Sequence, residues 1–151
     1  LFRSKSDPFA ILFLQRGSVW QKIGQTEVIH DNLNPRWVQK ITVDYHFEQQ
    51  EKFKVQVFDS DDDKQLQNLQ SHDFIGEIEF QLHEVVTTRD QSLTKPLINV
   101  KHARPGRITV TAEELTATAN TEHVIFVPEA KNLKDMSGQA FFIIYKNLGP
   151  S

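Results

Sequence analysis

Apolar and polar residues alternate with a period of two along most of the chain. The alternation is clearest in "ITVDYHFE", where Ile41, Val43, Tyr45 and Phe47 are separated by polar residues, and it recurs in "KFKVQVF", "DFIGEIEFQL" and "GRITVTAEEL". Because successive side chains of a strand point to opposite faces of a sheet, this period predicts half-buried β-strands. The nearly continuous apolar run "PFAILFLQ" predicts a strand that is buried on both faces.

Four further segments are predicted to be strands, namely residues 19–28, 93–100, 124–127 and 140–145. Glycine and proline mark turns between many of the strands, as in "RGS", "NP" and "PG". Only "QLHEVVTTRD" indicates a brief helical turn. Short strands at this spacing predict an all-β fold, an antiparallel β-sandwich with minor short helices.

The composition limits the function classes. The chain has 151 residues, 38% of them hydrophobic, which is enough for one domain with its own core. A formal net charge of -3 argues against a nucleic-acid partner, because phosphate binding needs a basic face. The absence of cysteine excludes disulfides and thiolate metal sites and fits a cytoplasmic location. No apolar run approaches the ~20 residues that span a bilayer, so any membrane contact is expected to be peripheral.

The densest charge follows the predicted strand that ends at Phe58. Four aspartates fall within the five positions from Asp59 to Asp63, and Asp73 begins the next predicted strand. Asp59 and Asp61 share one strand parity, and the intervening loop returns Asp73 to the same rim of the sandwich. Calcium takes about six to eight oxygen ligands in irregular geometry, and without a cation such carboxylates repel one another. The cluster therefore predicts a calcium site, with a solvated acidic turn as the alternative.

Four motifs occur along the chain in the order "SKSDPF", "LNPRW", "FDSDDD" and "HDFIGE". Together they resemble the motifs of C2 domains, the calcium- and phospholipid-binding β-sandwiches of protein kinase C and the synaptotagmins. Within that family the chain is most similar to the copines, through "SKSDPF", "TVDYHFEQQEKFKVQVFDSD" and "GRITVTAEEL". The resemblance implies an antiparallel eight-stranded Greek-key sandwich that holds calcium between loops at one end. It also implies a second C2 domain and a von Willebrand A domain downstream in a parent protein.

The resemblance further implies which residues hold the calcium ion. The expected ligands are Asp7 in the first loop and Asp59, Asp61 and Asp73 in the third. Asp62 and Asp63 match no ligand position. An earlier first-loop aspartate of the family falls at Leu1, so that ligand is either replaced here or lies upstream. The number of bound ions is therefore left open.

Membrane binding is the role that the resemblance implies for these loops. The expected partner is an anionic phospholipid such as phosphatidylserine, with recruitment from the cytoplasm to the plasma membrane when calcium rises. The expected membrane-contact residues are Phe2, Arg3, Leu66 and Leu69. Packing of the two leucines against the base of their loop is the alternative for those positions. Lys52 and Lys54 share one strand face and form a candidate basic patch, and simple solvation is the alternative.

Residues 117–151 are expected to begin a following C2 domain, because "EHVIFVPEAKNLKDMSGQAFFIIYKN" resembles the opening strands of the next copine C2 domain. The chain, which begins at Leu1 rather than at methionine, is interpreted as part of a longer protein. Residues 1–116 then form a C2 domain without its own first strand, and an unpaired sheet edge accepts a strand. We expect residues 124–127 to fill that edge, either within the chain or between molecules as a strand-exchanged dimer.

Two function classes are compatible with the motifs. The first is a calcium-dependent phospholipid-binding module that recruits a copine-like parent protein to anionic membranes. The alternative is a calcium-independent protein-interaction C2 domain with residual acidic loops, which would bind protein partners of that parent. An enzyme is not expected, because the chain has no G-x-S-x-G motif, no P-loop and no cysteine nucleophile.

Overall fold

The structure is a computed structural model that describes residues 5–44, 46, 49–101, 104–117, 121–126, 129–131 and 141–148, with side chains up to Glu114. The strands are β1 (Pro8–Arg16), β2 (Val19–Gln25), β3 (Lys40–Thr42), β4 (Lys52–Asp59), β5 (Asp73–Gln81), β6 (Ser92–Pro96), β7 (Arg107–Ala117), β8 (Thr121–Phe126), β9 (Glu129–Lys131) and β10 (Phe141–Leu148). One short helix, α1 (Leu82–Val86), follows β5, and two single 3-10 turns cover residues 63–65 and 69–71.

The strands form two sheets. The first sheet has four antiparallel strands in the order β2-β1-β4-β5. The second sheet follows the order β10-β3-β8-β7-β6, with β9 beside β7, and β10 also pairs with β7 and β8. Its pairs are antiparallel except where β10 runs parallel to β3 and β7. The structure thus confirms the predicted all-β, mainly antiparallel sandwich with short helices, although ten strands rather than eight lie in the described residues.

One apolar core lies between the two sheets. Leu12, Phe53 and Val55 of the first sheet belong to the same buried cluster as Ile108 and Val110 of β7, and all five are buried. Full burial of a side chain of this size stabilises the fold by roughly 1.5–3 kcal/mol relative to exposure. The core therefore joins the sheets into one unit, and β7 is an integral part of it.

The predicted doubly buried strand is β1, and the structure confirms it. Phe9, Ala10, Ile11 and Leu12 are all 0% exposed, although only alternate residues face the core between the sheets. A second cluster on the other face of the first sheet, the outer-face cluster, consists of buried Phe9, Ile11 and Phe58 with partly buried neighbours that include Leu66. Each face of β1 therefore packs against an apolar cluster, which accounts for the nearly continuous apolar sequence of this strand.

Several strands are shorter than their patterns predict. The alternation in "ITVDYHFE" continues to residue 47, but β3 ends at Thr42, and residues 45, 47 and 48 lie outside the described part of the chain. The segment predicted at residues 93–100 is extended only to Pro96, where β6 ends. Helix α1 falls within the predicted helical turn and carries a capping box between Gln81 and Glu84.

The connection between β6 and β7 crosses to the edge of the first sheet. Ile98 and Glu77 exchange two backbone hydrogen bonds of 2.8 and 3.1 Å. The Glu77 carboxylate, on a residue only 8% exposed, accepts hydrogen bonds from Gln56 Nε2 at 2.8 Å and from Asn99 Nδ2 at 2.6 Å. These bonds satisfy a buried charge and fix the connection against β5.

The last strands fill the space beside β3. β10 pairs with β3 over three residue pairs, and β8 meets β3 at the single pair Thr42 and Ile125. β8 pairs with β7 from Ala112 and Phe126 to Ala117 and Thr121. Residues 124–126 of the segment expected at this edge belong to β8, and residue 127 lies outside the described residues.

Candidate functional site

Three of the four expected calcium ligands stand at the ends of neighbouring strands. Asp7 directly precedes β1, Asp59 ends β4, and Asp73 begins β5. The strand registers place Pro8 opposite Asp59 and Asp59 opposite Asp73. Because adjacent strands lie about 4.8 Å apart, these three aspartates share one rim of the first sheet. The structure therefore brings Asp7, Asp59 and Asp73 to one rim of the first sheet.

Backbone N–H groups already bind two of these carboxylates. The N–H of Asp7 donates to Oδ1 of Asp59 at 2.6 Å, and the N–H of Asp31 donates to Oδ1 of Asp7 at 2.7 Å. Asp31 adopts a positive φ of 53°, a conformation that aspartate tolerates better than most residues. These bonds order the loop before β1 and the loop between β2 and β3 around the rim.

His30 joins two loops through their aspartates. Its Nε2 lies 2.9 Å from Oδ2 of Asp63, and its Nδ1 lies 3.6 Å from Oδ2 of Asp7. Asp63 also accepts a hydrogen bond of 2.7 Å from Ser60 Oγ. The His30 side chain is 61% exposed, so these contacts are weak individually. They nevertheless place an imidazole next to Asp7, an expected calcium ligand, and next to Asp63, which matches no ligand position.

His72 organises the long acidic loop between β4 and β5 from inside. The Asp61 N–H donates to its Nδ1 at 3.2 Å, so the proton is on Nε2, which bonds the carbonyl oxygen of Gln65 at 3.1 Å. The ring is buried and meets Phe9 edge to face, with 5.2 Å between ring centroids. His72 is therefore a structural residue that fixes the backbone at Asp61.

The remaining aspartates of the loop have different roles. β4 ends at Asp59, and Asp61 lies in a bend. The expectation that Asp59 and Asp61 point to the same side, as alternate residues of one extended strand, therefore does not apply to Asp61. Asp62 caps the first 3-10 turn, with Oδ1 accepting from the Lys64 N–H at 2.9 Å and Oδ2 accepting from Gln65 Nε2 at 2.9 Å. Asp61 and Asp73 are both exposed at the rim.

The donor chemistry of the rim fits a hard cation. Carboxylate oxygens dominate it, as calcium requires. Among the residues that the structure describes, however, no three His, Cys, Asp or Glu side chains are arranged to hold a metal ion. Two of the carboxylates accept protein N–H groups instead. Calcium binding at this rim would therefore require side chains such as those of Asp7 and His30 to rearrange.

The expected membrane-contact residues have mixed positions. Leu66 and Leu69 are partly buried and pack against the outer-face cluster, so only part of each side chain is available to a bilayer. Phe2 and Arg3 lie outside the described residues. Within the described part of the chain, no helix is long and apolar enough to cross a membrane.

The candidate basic patch is partly neutralised. Lys54 Nζ lies 3.0 Å from Oε1 of Glu79 and 4.3 Å from the ring centroid of Trp20. Lys52 is exposed on the same strand. Burial lowers the pKa of nearby Lys22, whose Nζ donates to Gln67 Oε1 in the acidic loop at 3.0 Å. Lys54 is therefore paired with a carboxylate, whereas Lys22 donates to neutral amides.

The spacing of histidines along the sequence does not reveal the contacts of His30 and His72. His30 and His72 are far apart along the chain, and folding brings each of them to the acidic loop. One signal was present, since both histidines stand directly before an aspartate, in "HDNLNP" and "HDFIGE". The first pair precedes the motif "LNPRW", and the second opens the motif "HDFIGE".

Comparison with known proteins finds similarity along nearly the whole chain. Residues 2–97 match the family model of the C2 domain. Two similar proteins from Dictyostelium discoideum are Copine-D, 36% identical over 97% of this chain, and Copine-B, 33% identical over 95%. The chain spans 28% of the length of each of these relatives.

Proposed function

The chain belongs to the C2 domain family and is of the copine type, and from this premise we propose that it is a calcium-dependent phospholipid-binding module. C2 domains of this type are binding modules. In this proposal the chain recruits a copine-like parent protein from the cytoplasm to the plasma membrane when calcium rises. The observation that carries the proposal is the placement of Asp7, Asp59 and Asp73 at three neighbouring strand ends.

The residues that would hold calcium are Asp7, Asp59, Asp61 and Asp73. Bound there, calcium would supply positive charge and open coordination positions for phosphate and carboxylate oxygens of a lipid such as phosphatidylserine. The acidic loop alone repels anionic headgroups, because its charges have the same sign. The chain's own aspartates therefore keep the module off the membrane in the absence of a cation.

The membrane-contact surface belongs to the same proposal. Phe2 and Arg3 would approach the bilayer from the loop before β1, and the exposed parts of Leu66 and Leu69 from the acidic loop. Lys52 lies on the outer face of the first sheet, where an exposed cation would add weak attraction to anionic lipid. Lys54 would add less, because Glu79 already compensates its charge.

A second candidate function is a calcium-independent protein-interaction C2 domain, which would bind protein partners of the parent. The observation that favours it is that protein groups already engage the rim carboxylates. Asp31 N–H binds Asp7, and His30 contacts both Asp7 and Asp63. In this alternative the acidic loop holds its shape through these internal bonds and needs no cation.

Cosedimentation with phosphatidylserine vesicles across a calcium titration tests the proposal. The double variant Asp59→Asn with Asp61→Asn removes two of the proposed ligands while keeping side-chain size. Asp90→Asn is the matched control, because exposed Asp90 follows α1 at the far end of β5 from the rim. We expect calcium-dependent sedimentation of the wild type and of the control, and loss of sedimentation in the double variant.

Two results would contradict the proposal in different ways. Vesicle binding that is equal with calcium and with chelator would remove the calcium switch and support the second candidate. Calcium-dependent binding that survives in the double variant would place the calcium site elsewhere. Calorimetric titration of calcium without vesicles separates ion binding from lipid binding in each variant.

A further inference from the structure

The acidic loop between β4 and β5 lies against the outer face of the first sheet. Leu66 follows the first 3-10 turn of the loop, and Leu69 begins the second. Both side chains are partly buried and pack against the outer-face cluster. We call residues 66–69 the docked segment. Its two apolar side chains hold the middle of an otherwise polar loop on the sheet.

A polar contact joins the docked segment to β2. Lys22 Nζ donates to Oε1 of Gln67 in the docked segment at 3.0 Å and to Oε1 of Gln25 on its own strand at 2.5 Å. Because an ammonium group only donates hydrogen bonds, both amides must present their oxygen atoms to it. The loop leaves β4 and returns to β5, whereas β2 lies on the other side of β1. The contact of Lys22 with Gln67 therefore spans β1.

Strand register places Lys22 beside the outer-face cluster. Phe13 of β1 stands opposite Lys22 of β2 and also opposite Lys54 of β4. Residues that stand opposite each other on neighbouring strands share a face of the sheet, and Phe13 packs against the outer-face cluster. Burial lowers the pKa of Lys22. Lys22 is therefore a partly buried donor at the edge of the surface on which the two leucines pack.

Three hydrogen bonds inside the loop connect the docked segment to Asp61. The Asn68 N–H donates to the carbonyl oxygen of Gln65 at 2.8 Å. The same carbonyl oxygen bonds Nε2 of His72 at 3.1 Å, and Nδ1 of His72 accepts from the Asp61 N–H at 3.2 Å. A displacement of the docked segment would therefore disturb the backbone at Asp61.

We propose that Lys22 is a positioning residue for the acidic loop. By holding Gln67 it keeps the docked segment on the first sheet, and it thereby fixes the backbone at Asp61 in the absence of a cation. The consequence for calcium rests on the proposed function, in which Asp61 is a ligand. A loop that is already ordered binds an ion more tightly, because less conformational entropy is lost on binding. Lys22 therefore raises calcium affinity without contacting the ion.

The charge of Lys22 predicts the opposite effect on calcium binding. Lys22 is a cation close to the acidic loop, and like charges repel. If charge alone mattered, removal of Lys22 would tighten calcium binding. If Lys22 positions the loop, its removal weakens calcium binding even though a positive charge is lost. The direction of the change therefore distinguishes the two roles.

Amide hydrogen exchange, measured by NMR in the absence of calcium, tests the position of the loop. The variants are Lys22→Met, Gln67→Ala and the two combined. Lys101→Met is the control, because it removes the same charge from an exposed position between β6 and β7. We expect the amides of Asp61 and Asn68 to exchange about two- to fivefold faster in each single variant, as the loss of one half-exposed polar contact predicts. The double variant should exchange no faster than either single variant, and the control should match the wild type.

Three results of the exchange measurement would overturn the proposal. The first is unchanged exchange in Lys22→Met. The second is additive effects in the double variant, because residues that act through one contact are coupled. The third is equal acceleration at the Glu77 amide, which donates to Ile98 on β5 at 3.1 Å, since that would mean that the whole sheet is loosened. Lys22→Arg keeps the donors and should exchange like the wild type.

Calorimetric calcium titration of the same variants tests the consequence for the ion. We expect Lys22→Met to bind calcium about two- to fivefold more weakly than the wild type, and Lys22→Arg and Lys101→Met to stay close to it. Tighter binding in Lys22→Met would overturn the proposal, because Lys22 would then act through its charge alone. A wild type that binds no calcium would remove the proposed function, and the exchange rates would still decide whether Lys22 positions the loop.

Discussion

The backbone N–H of Asp7 donates a hydrogen bond of 2.6 Å to Oδ1 of Asp59, although 52 residues separate the two in sequence. The bond joins the loop before β1 to the end of β4. It makes Asp59 a structural acceptor as well as a proposed calcium ligand. The two roles respond differently to substitution, because asparagine keeps an oxygen acceptor without the charge.

We expect Asp59→Ala to lower the free energy of unfolding by roughly 1–2 kcal/mol, since a partly buried donor loses its acceptor. Asp59→Asn should cost less than half of that, whereas both variants should lose calcium affinity. Urea denaturation measures the first effect and calorimetric calcium titration the second. Equal stability of the alanine and asparagine variants would contradict the structural role of the bond with Asp7.

His30 contacts the carboxylates of Asp7 and Asp63, and of these two only Asp7 is a proposed calcium ligand. We expect His30→Ala to tighten calcium binding by up to about fivefold, because calcium at Asp7 would then no longer displace a polar contact between half-exposed groups, which is worth about 0.2–1 kcal/mol. Calorimetric titration with calcium checks this change. His83→Ala, an exposed histidine on α1, is the matched control and should leave the affinity unchanged.

A weaker calcium affinity in His30→Ala would contradict this prediction. It would mean that His30 holds the loops in the binding arrangement rather than competing with the ion. In that case His30→Asn, which keeps a hydrogen-bond donor, should restore part of the lost affinity.

Glu84 links stability to pH at the other end of the sandwich. Burial tends to raise its pKa, but the hydrogen bond from Lys95, the backbone donor at Gln81 and the charges of Lys95 and His83 outweigh it, so the pKa falls below its ordinary value of 4.5. A depressed carboxyl pKa contributes stability that is present above the unfolded pKa and is lost as pH falls through the folded pKa.

We therefore expect Glu84→Gln to lower the urea midpoint at pH 7 and to have little effect once the pH is well below 4.5. At that pH the wild-type side chain is also uncharged, so the two proteins become alike. Glu113→Gln, at an exposed position of β7, is the control. A midpoint difference that stays constant from pH 7 to strongly acidic pH would exclude the charge as its cause.

Leu66 and Leu69 pack inward on the outer-face cluster. We expect alanine at either position to lower the free energy of unfolding by roughly 1–2 kcal/mol, less than the 2–5 kcal/mol of a fully buried leucine. Vesicle binding at saturating calcium should be retained, because the loop aspartates are untouched. Val38→Ala, at a side chain 77% exposed, should change neither quantity. Loss of vesicle binding in a folded leucine variant would instead assign that leucine to the bilayer.

The alternation of apolar and polar residues predicted the strands that turn one face toward the core. Phe53, Val55 and Val57 of β4 are buried as their alternation required. The run at β1 was recognised as doubly buried, but its second cover is formed by a loop whose leucines lie more than fifty residues further along the chain. The packing of these leucines on β1 depends on how the long loop folds back, and the residue pattern within β1 carries no information about that.

The sequence likewise predicted one part of the candidate site and not the other. Asp59 and Asp73 were predicted at one rim because strand ends follow from strand patterns, whereas Asp7 was expected there only from the family resemblance. The contact of His30 with Asp63 was not predicted, because the positions of two loops determine it rather than any spacing in the sequence. The sequence showed the acidic character of the long loop, and the structure adds the buried His72 that holds it.

The order of strands in the two sheets also bears on how the chain emerges from the ribosome. All four strands of the first sheet are complete at Gln81, whereas β7 ends at Ala117 and β10 at Leu148. At a synthesis rate of roughly 5–20 residues per second, an apolar sheet face is exposed for seconds before its cover is made. Nascent chains that stop before β7 are therefore expected to be aggregation-prone and to bind chaperones, and release from those chaperones should follow the appearance of the later strands.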